Sequence, residues 1–284
     1  MKNSSLMRSK IFFVYLFLII WTIFTLFPIY WMVSTSFKPK LSVLTGAKYL
    51  PGIDFKPTTN WWGKIFSTEA REIFPPLINS AIIAIFSSLL ATFLGTMAAY
   101  SLTRFKMKIS IMKNQDILMW IVSQRMMPPI VVVLAIFIMF RLSNLLDTHL
   151  GMILIYIAFN LPISVWMMRN FLSQIPPSTE EAAMVDGASR FQTFFKVLIP
   201  MTWPSLAATF LLCFIFAWNE FLFALILTYN KSRTMPILIA SQHFQRGPQW
   251  WDISVLSTIA IIPIIIIALS LQRYFIKGLI PIGK

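Results

Sequence analysis

Charge is what this chain has least of. Only 12% of its 284 residues are Asp, Glu, Lys or Arg, roughly half the share found in a soluble domain. Hydrophobic residues make up 57%, more than the core of a soluble fold of this size can bury. That excess excludes an ordinary water-soluble domain and leaves the lipid bilayer as the solvent. Cysteine is nearly absent: Cys213 stands alone in an apolar run, so no intrachain disulfide forms and the residue reads as a small packing group. The two histidines, His149 and His243, have no metal-ligand spacing and are expected to be solvated in outer loops. No G-x-x-x-x-G-K-[ST] run occurs, which excludes nucleotide hydrolysis by this chain. Acidic residues are also few, 10 against 24 Lys and Arg, for a net charge of +14. Such a balance would suit nucleic acid. The basic residues flank apolar blocks instead of forming one stripe, which is the pattern of membrane orientation.

Six apolar stretches are long enough to cross a bilayer: Ile11–Met32, Leu77–Tyr100, Ile117–Phe140, Leu150–Met168, Trp203–Thr228 and Ile253–Phe275. None alternates with the period of a barrel strand, so all six are predicted to be helices, with every backbone amide satisfied internally. Prolines at Pro28, Pro128–Pro129, Pro162 and Pro263 interrupt four of them, as kinks beside a pathway or as packing devices. The first stretch follows Lys2, Arg8 and Lys10 as a signal peptide would. It is too long for an h-region, and no small-x-small cleavage site follows, so it reads as a retained span.

Lys and Arg set the orientation. With the N-terminus inside, the cytoplasmic pieces hold Lys2, Arg8, Lys10, Arg104, Lys106, Lys108, Lys113, Arg169, Arg190, Lys196, Arg273, Lys277 and Lys284. The two shorter outer loops hold Arg141, Lys231, Arg233 and Arg246. Six spans with both termini cytoplasmic follow, against the basic content of the long outer loop Val33–Pro76, whose length weakens its vote. Tryptophans near the span ends, Trp250 and Trp251 among them, suit the membrane interface, and the last two could also stack on a sugar ring.

The cytoplasmic loop between the fourth and fifth spans is the most distinctive segment. Pro176-Pro177 ends what precedes it, and Ser178 with Glu181 forms an S-x-x-E pattern that predicts a capping box and a helix starting near Thr179. Glu180 and Glu181 then lie at the positive end of that helix. Gly187 permits a sharp bend, and Phe191, Phe194, Phe195 and Leu198 form an apolar helical face that Pro200 closes. A bent helix pair of this kind is a rigid knob for a groove on a partner, or else an amphipathic connector lying on the lipid surface.

The segment resembles the EAA motif of ABC importer permeases. Glu181-Ala182-Ala183 is followed at the family spacing by Gly187 and by Val197-Leu198-Ile199-Pro200, where Val and Ile stand for the family's Ile and Leu. Leu145-Leu146-Asp147-Thr148, Phe159-Asn160-Leu161-Pro162, Trp218-Asn219-Glu220-Phe221 and Gln272-Arg273-Tyr274-Phe275 resemble the carbohydrate-uptake, maltose-type branch. The resemblance covers residues 75–278. It implies an all-α membrane protein with the six-helix fold of type I ABC importer permeases. Residues 1–74 would supply the N-terminal tail, first span and outer loop; 75–278 a five-helix core with a coupling helix over about 178–199; and 279–284 a short tail.

It further implies a permease that is not itself an enzyme, in the cytoplasmic membrane of a bacterium. A second related permease would pair with it. Two ATPase subunits would bind ATP and Mg beneath, leaving no cofactor for this chain, and an extracytoplasmic solute-binding protein would deliver a mono- or oligosaccharide or a polyol. Glu180, Glu181, Ala182, Ala183, Asp186, Gly187 and Pro200 fall in the ATPase-coupling segment. A secondary transporter, or a permease for a glycerophosphate, is the competing reading. An inverted repeat, a charged filter ring and paired catalytic groups are all missing from the sequence.

Charge inside a span costs on the order of 2.5–3.5 kcal/mol, which draws attention to Arg125 beside Gln124 and Glu220 beside Asn219. They line a substrate pathway or pair across the bundle. Asn160, with Asn79 and Gln242, is a weaker candidate of the same kind.

Overall fold

The computed structural model describes residues 2–67, 70–106, 108–109, 112–244 and 247–279. Its elements run α1 (Lys2–Ser36), α2 (Lys40–Leu44), α3 (Asn60–Ser67), α4 (Ala70–Arg104), a two-stranded hairpin of β1 (Lys108–Ile109) and β2 (Met112–Lys113), and α5 (Asn114–Ser123). After a 3₁₀ turn at Gln124–Met126 come α6 (Pro129–Leu142), α7 (His149–Leu172), α8 (Pro177–Val185) and α9 (Arg190–Gln192). A π-helical stretch, Thr193–Leu198, leads into α10 (Ile199–Met201), α11 (Trp203–Trp218), α12 (Leu222–Leu227), α13 (Met235–Phe244) and α14 (Trp250–Leu279). The chain forms two compact units, Met1–Arg71 with Ile239–Ile262, and Glu72–Leu238 with Pro263–Lys284.

Among the described residues, four helices are long and apolar enough to cross a membrane alone: Ile11–Ser36, Ala70–Arg104, His149–Leu172 and Trp250–Tyr274. Two bent helix pairs also qualify when each is taken together. Asn114–Met126 meets Pro129–Leu142 at 87°, and Arg190–Met201 meets Trp203–Trp218 at 76°. Counting each pair as one span gives up to six among the described residues, compatible with the expected number. The third expected span is broken before Pro129 and the fifth, Trp203–Thr228, is broken between α11 and α12, so neither is the continuous helix that hydropathy predicts. At Pro128–Pro129 the extended backbone required before a proline unwinds the third span. Its longer half, α6, has 14 residues and is only about 21 Å long, short of the roughly 30 Å hydrocarbon core. Pro28, Pro162 and Pro263 stay inside unbroken helices. The second span begins at Ala70, not Leu77, and runs through Pro75 and Pro76.

In the larger unit, α4 buries a stripe of small residues: Ser80, Ala84, Ser87, Ser88, Ala91, Gly95 and Ala99. Between helices in lipid, close backbone approach replaces the hydrophobic drive, and small residues allow it. At Gly95 the approach is so close that an added Cβ would lie 2.2 Å from Ser164 Oγ on α7. Ile83, Val133, Met152, Tyr156, Phe214, Trp218, Phe223 and Leu227 form the main core. In the smaller unit, α1 is apolar and exposed on every face from Ile11 to Tyr30, as a lipid-facing helix is. Beyond that span the chain is tied down locally. Trp61 Nε1 donates to Lys38 O at 2.9 Å, Trp62 Nε1 to Ser36 Oγ at 3.2 Å, and Trp61 stacks on Trp251 at 5.3 Å.

Candidate functional site

The knob between α7 and α8 begins where Pro176 holds an extended backbone and Pro177 takes the first helical position. Proline is preorganised for that position, so the helix starts early and Ser178 sits inside its first turn. The expected Ser178–Glu181 capping box therefore does not form; no side chain caps α8. The capping box that does form is Ser189 with Gln192. Ser189 N donates to Gln192 Oε1 at 2.9 Å, and Gln192 N donates to Ser189 Oγ at 3.3 Å. It starts the return helix α9.

Glu180 is only 5% exposed, unlike the exposed Glu181, Ala182 and Asp186. Its carboxylate accepts from Tyr100 Oη at 3.0 Å and from Arg104 Nε, and Arg104 Nη2 also donates to Ile175 O at 2.9 Å. Beneath this clasp lie Ala99, Met168, Leu172, Ile175, Phe194 and Leu198. The residue thus fastens the knob to the end of α4, a role that its place in the motif does not disclose. Ala183 is half-buried.

Gly187 ends α8 with φ +90°. Its N–H reaches Met184 O at 3.1 Å and the N–H of Ala188 reaches Ala183 O at 3.0 Å, the paired closure of a Schellman motif. The bend expected at Gly187 is therefore present. The apolar face after it is not the expected one. Thr193–Leu198 winds as a π-helix, so Phe194 and Leu198 are buried, Phe195 half-buried and Phe191 exposed. Pro200 lacks an N–H for the carbonyl four residues back, and it follows directly on this widened turn. It does not end the segment, because helix continues to Met201 before the bend.

Of the mid-span polar residues, Glu220 and Arg125 do not pair. Among the described residues no ion pair joins them. Glu220 sits in the break between α11 and α12, where its carboxylate accepts from the N–H groups of Phe223 and Ala224 at 2.8 and 3.1 Å and from Tyr156 Oη at 2.7 Å. Capping the first turn of α12 consumes the charge locally. Arg125 lies in the break of the third span. It donates from Nη1 to Phe159 O at 2.8 Å and sits over the rings of Phe216 and Phe159, 4.3 and 5.0 Å from their centroids. Gln124 and Asn219, beside them, are exposed and, among the described residues, bond only to their own helices, at Trp120 O and Ile215 O. Asn160 is buried; its Nδ2 donates to Cys213 O at 3.3 Å, and its Oδ1 has no partner among the described residues. Two polar breaks, each with an exposed amide, thus interrupt otherwise apolar spans.

A third cluster was not expected. Asp147, at φ 53° between α6 and α7, accepts backbone N–H groups from Tyr229, Asn230, Lys231 and Ser232 at 3.0–3.1 Å, and also the Ser232 hydroxyl. Burial pushes its pKa up, but the four N–H groups outweigh burial and hold it at about 2. Alongside, Asn79 Nδ2 donates to Lys231 O and Arg233 O at 2.9 Å, and its Oδ1 contacts His149 Nε2 at 2.7 Å. His149 is therefore half-buried and bonded, not solvated as expected; the His243 side chain lies outside the described residues. Because the Asn79 amide is committed as a donor, its oxygen accepts, which makes His149 Nε2 the protonated nitrogen. The sequence signal for this latch was Asp147 itself, an acid in a short loop of the kind that tolerates left-handed backbone. Trp251, a candidate for sugar stacking, is buried against Trp61, whereas Trp250 stays half exposed.

Residues 113–281 match the family described as binding-protein-dependent transport system inner membrane component. The trehalose/maltose transport system permease protein of Thermococcus litoralis is 33% identical, over 92% of this chain and 92% of its own length. The trehalose transport system permease protein of Mycobacterium tuberculosis is 34% identical, over 90% and 91%. Among solved structures, a chain of a bacterial ABC transporter that imports the acidic polysaccharide alginate superposes with a TM-score of 0.72 at 23% identity, covering 94% of this chain and 97% of that one.

Proposed function

The chain belongs to the family of binding-protein-dependent transport system inner membrane components, and we propose that it forms, with a second related permease, the path by which an ATP-driven importer carries a sugar into the cytoplasm. The sugar class rests on its relatives, which are trehalose and maltose transport permeases. Both termini are cytoplasmic in this reading, and residues 75–278 make up the transport core. Two ATPase subunits beneath hold ATP and Mg, and an extracytoplasmic binding protein delivers the cargo.

The observation that carries the coupling role is the geometry of α8. Its inner face is clasped through Glu180 to Arg104 and Tyr100, and its bend is set by Gly187. Glu181, Ala182 and Asp186 stand out from it, with Val185 87% exposed. A helix clasped on one side and bare on the other transmits the push of an ATPase to α4 without being deformed. Along the path, Gln124 and Asn219 at the two breaks offer hydrogen bonds to sugar hydroxyls at a depth where the remaining wall is apolar. Arg125 and Glu220 shape those breaks, and Asn160 lies behind them.

The test is reconstitution of the full chain with the ATPase, second permease and binding protein proposed as its partners, followed by ATP-dependent uptake of trehalose and maltose into liposomes. Val185→Glu alters a side chain that packs on nothing in this chain. It should leave the membrane level unchanged while reducing ATPase co-purification and uptake about tenfold, the loss of roughly 1.4 kcal/mol of association. Unchanged uptake by this variant would remove the coupling role from α8, and a wild-type complex that moves neither sugar would remove trehalose and maltose as cargo.

A further inference from the structure

In the smaller unit, a cavity of about 430 Å³ opens between the end of α1 and the first turns of α14. Trp31, Lys38, Ser42, Trp250, Ser254 and Ser257 are among its lining residues. Lys38 is the anomaly. It is 2% exposed, although lysine is almost never fully buried unless paired. Its Nζ donates to Thr35 Oγ1 at 3.3 Å, its only hydrogen bond among the described residues, and lies 3.6 Å from the centroid of Trp31 and 5.5 Å from that of Phe55. An ammonium has three protons to place, and one hydroxyl and two ring faces leave it short of acceptors. Asp54, the acid whose charge it feels, spends Oδ2 on the N–H groups of Tyr49 and Leu50. Burial accordingly pushes the Lys38 pKa below the usual lysine value.

The position of the cavity limits what can supply the missing acceptor. One wall is where the apolar run of α1 stops, and the other is where that of α14 starts, each marked by a tryptophan. Indole rings settle at the level of lipid headgroups, which puts the Lys38 ammonium within reach of a headgroup phosphate. Along α1 from Trp31, Phe27, Phe24 and Ile23 are exposed and offer an apolar surface to an acyl chain. We propose that this cavity holds the phosphate headgroup of an anionic membrane phospholipid, with Lys38 and the Ser42 and Ser257 hydroxyls on the phosphate oxygens, the Ser254 hydroxyl being spent on Trp250 O at 2.6 Å, and the chains along α1. The same phosphate chemistry could arrive on a soluble glycerol phosphate, which lacks the chains that α1 would hold.

The full chain, assembled with its partner subunits, is placed in nanodiscs of phosphatidylcholine with or without phosphatidylglycerol. Bound lipid is counted by native mass spectrometry, and melting is followed in the same samples. Wild type should retain phosphatidylglycerol and melt higher in its presence. Lys38→Met should lose about tenfold in retained lipid and all of the lipid-dependent rise in melting, while melting no lower than wild type in pure phosphatidylcholine, because the substitution removes a buried charge left unpaired there. Ser254→Leu fills the cavity and keeps the lysine; it should lose the lipid as well, and it carries the test if Lys38→Met fails to assemble. Retention equal to wild type in both variants overturns the proposal. In pure phosphatidylcholine, a melting rise with free glycerol phosphate equal to that given by phosphatidylglycerol overturns the lipid as the source.

Discussion

Asp147 holds together parts of the chain more than eighty residues apart, from a left-handed backbone position that few side chains tolerate. Its carboxylate is worth most when ionised, since all four backbone donors need a negative acceptor. With the folded pKa at about 2 and an unfolded value of about 3.9, the stabilisation is essentially complete above about pH 5 and is lost as pH falls through 2. Allowing for partial exposure, it amounts to on the order of 1–2 kcal/mol. Asp147→Asn turns an amide N–H₂ toward some of those donors. We expect a lower melting temperature at pH 7, an offset that stays constant down to about pH 5, and a narrowing gap below that as the wild-type carboxylate protonates. Fluorescence melts of the two proteins across that range check this, and an offset unchanged at pH 2.5 contradicts it. Glu220 shows what sequence can and cannot convey at this scale. Its depth in an apolar run announces that something must satisfy it. That the satisfaction comes from the start of α12 and from Tyr156, and not from Arg125, depends on a break in the fifth span that hydropathy averages away.

At the scale of elements, the knob of α8 and its return helix was legible because glycine and proline act locally. The diproline and Gly187 mark where helix must start and turn, and the structure turns there. The details that failed share a cause, since each depended on which of two local options tertiary packing selects. Ser178 had the right spacing for a cap, but Pro177 already occupied the first helical position. The aromatic face after Ser189 followed a regular 3.6-residue period, and the π-helical turn shifted it. The bend itself rests on one backbone angle. A Cβ on Gly187 meets nothing within 4 Å, so a substitution there suffers from φ +90° alone, roughly 1–2 kcal/mol and more for a branched residue. Asparagine tolerates that region and valine does not. Gly187→Val is therefore expected to reach the membrane at wild-type levels and lose most ATP-driven uptake, while Gly187→Asn keeps most of it. Measuring uptake against membrane content for both separates conformation from size. Equal losses in the two variants would show that the bend is not what matters at this position.

For the whole molecule, the number of spans was legible and their continuity was not, because hydropathy counts apolar residues and is blind to an 87° bend. Such a bend allows the pair α5 and α6 either to cross the bilayer or to dip in and return. Contacts within the larger unit decide between these. Arg104, at the end of α4, and Glu180, on α8, are bonded to each other, so both lie on one side of the membrane. Between them the chain passes through the bent pair and then through α7, which crosses once. Only if the bent pair also crosses once does the chain come back to its starting side. The opposite ends agree: Asn79 at the start of α4, His149 at the start of α7 and Lys231 beyond α12 meet in one cluster, which requires one crossing between Arg104 and His149 and another between Asp186 and Lys231. In the orientation proposed above, Arg104, Lys106, Arg169, Arg190 and Lys196 lie on the cytoplasmic side. Reporter fusions after Lys106 and Asp186 should therefore give a cytoplasmic signal, and fusions after Lys48, Asn144 and Lys231 an external one. The fusion after Asn144 is the most telling. A cytoplasmic signal there would mean that the pair α5 and α6 is re-entrant, which would place Glu180 across the membrane from Arg104 and break the clasp on which the coupling role of α8 rests.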